Sequence, residues 1–115
     1  MTLTSMQYAG TLLGREAVID FPDSRAEVRY TSKGKMHWRV TDSQGKVSEG
    51  CETLGYLQLS DHLHFLNWIE KTGFTVSQII DSTQGTVQAF WSYADEQCDS
   101  GHRSSMFVEG RFRLR

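Results

Sequence analysis

The sequence predicts an all-β protein, an antiparallel meander of eight strands that closes into a barrel. Three observations predict it. Eight runs of strand-forming residues recur at the spacing of sheet strands, roughly 8–12 residues. Short segments rich in Gly, Asp, Ser and Thr separate them. Several runs are apolar on both parities, with Phe65 and Ile69 on one side and Leu66 and Trp68 on the other. Closure explains the last feature: a closed sheet has an inner face to fill and loses its exposed edges.

Each element follows from its residues. Arg15–Phe21 is the first run and ends at the Pro22-Asp23-Ser24 turn. Ala26, Val28 and Tyr30 then alternate with Glu27 and Arg29, and a Lys33-Gly34 turn leads to Met36, Trp38 and Val40 alternating with His37 and Arg39. Asp42–Gly50 is polar and punctuated by glycine, so it is expected as a loop. Glu52–Leu59 is the fourth run, Ser60-Asp61 a turn, and His62–Glu70 the fifth run. Thr75–Asp81 and Thr86–Tyr93 are joined by residues 82–85, and after the polar stretch Asp95–Ser104 the eighth run is Ser105–Leu114. Residues 14–115 form the single expected domain. Residues 1–13 are an N-terminal segment in which 3–13 have weak helical periodicity; they suggest a short cap, although Gly10 and Thr11 oppose a helix.

Composition narrows the function classes. A chain of 115 residues suits one domain with a real core. A net charge of −2 provides no basic footprint for nucleic acid or anionic lipid. Arg111, Arg113 and Arg115 share one strand face and read as a solvated or edge-protecting row. No apolar run approaches membrane-spanning length, and the N-terminus lacks a basic segment followed by an unbroken apolar stretch. Cys51 and Cys98 form no CxxC pair and no disulfide framework, which suits a reducing compartment. A cytoplasmic domain is expected, with no nucleic-acid or membrane partner.

The richest stretch is Phe65–Asp81, FLNWIEKTGFTVSQIID. Two strand-like runs flank a Lys71-Thr72-Gly73 turn, and alternation puts His64, Leu66, Trp68 and Glu70 on one face. If that face points inward, Glu70 is an acid in an aromatic-walled cavity, where a carboxyl pKa can rise or a polar ligand can be anchored. The bland alternative is a solvated hairpin-end glutamate beside a core tryptophan.

These residues also carry a family resemblance. Gly14-Arg15-Glu16 opening the first strand, the WxExxGxTVSQ run from Trp68 to Gln78, and Asp81 resemble the molybdenum-cofactor-biosynthesis protein F (MoaF) family and its relatives, the phenolic acid decarboxylases. The resemblance implies a lipocalin-like barrel and, from the decarboxylases, a homodimer. In those enzymes the Glu of a W-T-E-P-T-G-T-D-V hairpin protonates the alkene carbon of the substrate, and Glu70 occupies its place, with Trp68, Thr72, Gly73 and Val76 also matching and Lys71 replacing the Pro. The decarboxylase Tyr-x-Tyr pair that holds the substrate carboxylate falls on Ile19 and Phe21, which lack hydroxyls. The segment comparable to its Gly-Arg-Trp is Ser48-Glu49-Gly50-Cys51, without an Arg. Decarboxylation of a phenolic acid is therefore not expected.

Other constellations are weaker. His62-x-His64 has strand-borne metal-site spacing, but Glu70 lies six residues beyond His64, roughly 20 Å along an extended strand. His37 or His102 could complete a ligand set only through tertiary contacts, so no metal and no cofactor is expected. No phosphate loop or nucleophile elbow is present. The leading expectation is a barrel that binds a small aromatic or amphipathic molecule, with Glu70 as key polar group and Trp68, Trp38, Tyr30 and Tyr56 as walls; Thr75 and Ser77 are the further polar groups near the hairpin. The alternatives are a lyase or isomerase using Glu70 as general acid, and a filled barrel whose apolar outer face forms a homodimer.

Overall fold

The computed structural model describes residues 10–115. Among the described residues nine antiparallel strands form one sheet: β1 (Glu16–Phe21), β2 (Ser24–Tyr30), β3 (Lys35–Asp42), β4 (Val47–Thr53), β5 (Gly55–Gln58), β6 (Leu63–Ile69), β7 (Thr75–Asp81), β8 (Thr86–Ala94) and β9 (Arg103–Leu114). The order is β4-β3-β2-β1-β9-β8-β7-β6-β5. Its two ends, β4 and β5, are consecutive in the chain and joined through buried Leu54, and β4 also touches β6. The barrel is therefore nearly closed, with a seam between β4 and the β5–β6 hairpin.

Nine strands replace the expected eight because the polar stretch after Asp42 is not one long loop. Val47–Thr53 pairs along its whole length with β3, and the chain then breaks at Leu54 before β5. Its outward residues are solvated and its inward ones are Ser48, Gly50 and Glu52, so it lacks the apolar parity that betrays a strand. Of the two expectations for the arginine row, solvated or edge-protecting, the structure shows the solvated one: all three arginines are exposed, away from any sheet edge. β9 lies between β1 and β8, so Arg111 and Arg113 sit on an interior strand, and Arg115 pairs with Glu27 at 2.6 Å.

One parity of each strand fills the interior. Ile19, Ala26, Val28, Tyr30, Met36, Leu66, Trp68, Val76, Ile80, Val87 and Phe112 form the core with Leu12. The described part of the expected N-terminal cap, residues 10–13, is not helical; Gly10 N–H donates to the Asp61 carbonyl at 2.9 Å and Leu12 is wholly buried. The rest of that segment lies outside the described residues.

The outer wall has two halves. Over β1–β4 and the end of β9 it carries ion pairs: Arg25–Asp20, Arg29–Glu16, and Glu27 between Arg39 and Arg115. Over β5–β9 it carries an apolar patch beside polar pairs such as Gln88–Glu109: Leu57, Phe65, Ile79 and Phe107 are exposed, and the Phe90 and Phe107 rings meet at 5.1 Å.

Candidate functional site

β6 feeds both ends of the barrel. At the end that carries the β1–β2 and β6–β7 turns lies a cavity of about 240 Å³, walled by Trp38, Val40, Trp68, Phe74, Gln78 and Trp91, with Phe21 also in the lining and Glu70 the only ionisable side chain of that lining among the described residues. An aromatic arc runs along one wall, with Phe21 edge-on to Trp91 at 5.7 Å, Trp91 to Phe74 at 6.0 Å, and Phe74 stacked on Tyr93 at 5.9 Å. Gly110 makes room for it: a Cβ there would meet the Phe21 ring at 2.9 Å.

Two carboxylates flank the seam. Glu70, just beyond β6, accepts a hydrogen bond from the Trp68 indole N–H at 3.1 Å. Glu52 of β4 accepts one from the Trp38 indole N–H at 2.9 Å. Trp38 reaches that position by lying over Gly50, its partner across the β3–β4 ladder; a Cβ on Gly50 would stand 2.6 Å from Cζ2 of the ring. Burial raises the Glu70 carboxyl above its ordinary range, the Trp68 hydrogen bond opposes this, and the Glu52 charge adds to it. Gln78 also lines the cavity; it is 5% exposed, and among the described residues its side-chain amide makes no hydrogen bond.

The opposite end is plugged. His64 is fully buried, with Tyr56 Oη 2.8 Å from Nδ1 and Ser82 Oγ 3.4 Å from Nε2. Tyr56 Oη accepts from the Leu12 N–H at 3.0 Å, and Ser82 Oγ donates to the His62 carbonyl at 3.3 Å. With Tyr56 Oη accepting from Leu12, its one proton points to Nδ1, and a neutral imidazole protonated at Nε2 completes the chain. Burial, seconded by His62, pulls the His64 pKa below its ordinary value, with Asp81 opposing. The Tyr30 hydroxyl lies near this end, buried and without a hydrogen-bond partner among the described residues, and burial raises its pKa.

The structure thus brings together Glu70, Trp68 and Trp38 of the expected site residues. Tyr30 and Tyr56 belong to the plugged end and are not part of the cavity lining. Thr75 and Ser77 point outward, where Ser77 Oγ accepts from Asn67 Nδ2 at 2.9 Å, whereas Gln78 faces in with Val76. Glu52 opens the expected fourth run but carries no site role there, because the rest of its strand, Val47–Gly50, falls in the expected loop; the signal was the Gly50-x-Glu52 alternation facing Trp38 and Met36. Among the described residues no three His, Cys, Asp or Glu side chains converge as metal ligands. Cys51 and Cys98 are unpaired.

A nearly closed antiparallel barrel with a half-open apolar cavity and an acid in its wall is the class that fold and site define. Residues 13–103 match the MoaF-like family, and the chain belongs to it. Among curated proteins no relative matches. A similar solved structure is a protein of Burkholderia vietnamiensis provisionally named a beta-lactamase; it is 18% identical, has a TM-score of 0.75, and the alignment covers 93% of this chain and 98% of that one. At that identity the likeness is one of fold.

Proposed function

We propose that this chain is a small-molecule-binding, lipocalin-like barrel that holds its ligand in the cavity beside Glu70. The observation that carries the reading is an apolar, tryptophan-walled cavity whose one ionisable group among the described residues is a half-buried carboxylate. Apolar walls with a few convergent polar groups are the usual build of such sites. Two cysteines without a disulfide support a cytoplasmic setting. The test is a thermal-shift screen of amines, phenols and carboxylic acids on the wild type and on Ala26→Trp, which fills the cavity. A ligand at a hundred times its Kd adds about 2.7 kcal/mol to the folded state. The reading predicts hits on the wild type that vanish in Ala26→Trp; a screen without such hits sinks it.

A catalytic reading is favoured by one observation, the upward displacement of the Glu70 carboxyl, which suits a general acid. Its test is Glu70→Gln on any ligand found: turnover in the wild type that is lost in the variant while binding persists establishes it.

Homodimer formation rests on the apolar half of the outer wall. Leu57, Phe65, Ile79 and Phe107 are 39–79% exposed, and no ion pair crosses this half among the described residues, in contrast to β1–β4. Contiguous exposed apolar surface marks an interface, and a two-fold contact would cover the same patch on both copies. Light scattering on the wild type and on Phe107→Lys tests it: a dimer that becomes monomeric is expected, and a monomeric wild type at high concentration overturns it.

A further inference from the structure

We propose that the cavity selects an organic ammonium ion, a protonated amine whose apolar body lies among Trp38, Trp68 and Trp91 and whose cationic head meets the Glu70 carboxylate. This deepens the binding reading above and rests on it.

Four features of the cavity converge on a cation. The first is charge. Among the described residues no Lys, Arg or His contributes to the lining, so the field inside comes from Glu70, reinforced by Glu52 close by. The second is the wall. Three indoles line one small volume, and tryptophan is the side chain that attracts a cation most strongly. The third is the distribution of donors. The Trp38 and Trp68 N–H groups are already committed to Glu52 and Glu70, so an entering anion would meet like charge with these two donors spent. The fourth is Gln78, almost wholly buried and without a side-chain hydrogen bond among the described residues, whose amide oxygen is an acceptor suited to an ammonium N–H.

Neutral and anionic ligands use this arrangement poorly. A phenol or alcohol could donate to Glu70 but would leave the carboxylate's charge unbalanced in an apolar site. A carboxylate would add another negative charge beside two. Only a cation relieves the cost of keeping Glu70 ionised where it is. At about 240 Å³ the cavity lies below the usual range of drug-sized pockets, ~300–1,000 Å³, which points to a body of one ring or a short fused pair.

The test uses three probes of matched shape: 2-phenylethylammonium, 2-phenylethanol and 3-phenylpropanoate, titrated calorimetrically into the full chain at neutral pH and low salt. The ammonium is expected to bind at least about tenfold more tightly than the alcohol, with the carboxylate weakest. Glu70→Gln, which retains an acceptor for the Trp68 N–H, should erase most of that advantage while the alcohol's affinity stays within about twofold. Gln78→Leu should weaken the ammonium severalfold. An alcohol or carboxylate that binds as tightly as the ammonium overturns the assignment and leaves the binding reading intact. So does a set of three silent probes when the thermal-shift screen finds a ligand of another class. Silence in both experiments removes both readings. The wild-type comparison alone decides the matter if a variant fails to fold.

Discussion

The two ends of the barrel receive polar side chains from the same strand, and they treat them differently. At the plugged end His64 is hydrogen-bonded at both ring nitrogens, and the chain runs from the Leu12 amide through Tyr56 and Ser82 to a carbonyl. At the cavity end Glu70 has one indole donor, stands near a second carboxylate, and shares its space with an unpaired Gln78. A buried polar group whose bonds are all made inside the fold specifies structure. One whose capacity is left over toward an empty volume is set up for something that arrives from outside. Burial alone would have ranked His64 as the more interesting residue; partner accounting reverses the order.

That contrast can be broken by mutation. His64→Ala removes a buried ring and one hydrogen bond each from Tyr56 and Ser82, so a loss of about 2–4 kcal/mol is expected in chemical denaturation, with ligand affinity unchanged for whatever protein remains folded. Gly50→Val drives a side chain into the Trp38 ring and should cost about 1–3 kcal/mol, and because the ring carries the bond to Glu52 it should also weaken binding. A tolerated Gly50→Val with unaltered affinity would show that Trp38 is packing alone. Glu70→Gln separates the ends most cleanly: it should leave stability within about 0.5 kcal/mol, or raise it by that amount at neutral pH, since it removes a charge held in a poor place while the group remains partly solvated. Tyr30→Phe has the smallest expected effect, between no change and a gain of about 1 kcal/mol, because the hydroxyl it deletes has no partner.

Acid sharpens the same comparison with opposite signs. The folded pKa of His64 lies below its ordinary 6.5, so between the two values the unfolded chain binds more protons, and stability is lost as pH falls through that window. The folded pKa of Glu70 lies above its ordinary 4.5, so between those values the folded chain binds more protons, and its contribution is lost as pH rises. Stability measured from pH 4 to 8 should therefore lose its acid-side decline in a folded His64 variant and its Glu70 component in Glu70→Gln.

Much of this was legible in the residues. The alternation of His64, Leu66, Trp68 and Glu70 put all four on one face, which the structure turns inward with Glu70 half-buried at its end, and the turns at Lys33-Gly34 and Thr72-Gly73 fell where glycine takes up a positive φ. What escaped depended on pairing between strands. Tyr56 reads as a pocket wall until the register of β5 with β6, which sets Tyr56 against Leu66, lets its hydroxyl reach His64 on the adjacent pair. Glu52 is one more polar residue in a polar run until β4 is laid against β3. A strand whose inward face carries Ser, Gly and Glu has no hydrophobic signature, because its neighbours supply the bulk.

The pairing of β1 with β9 has a consequence for how the chain comes to be folded. Ala17 meets Leu114 and Asp20 meets Arg111, so the first of the described strands waits for the ninth. On a ribosome the β1–β4 hairpins and the β5–β8 ribbon can form in turn, each with an open rim of unpaired amides, and the two sheets join only after residue 114 has left the exit tunnel. Closure of the barrel thus waits for β9, and the interval before it is when the nascent chain is most exposed to pairing with its neighbours.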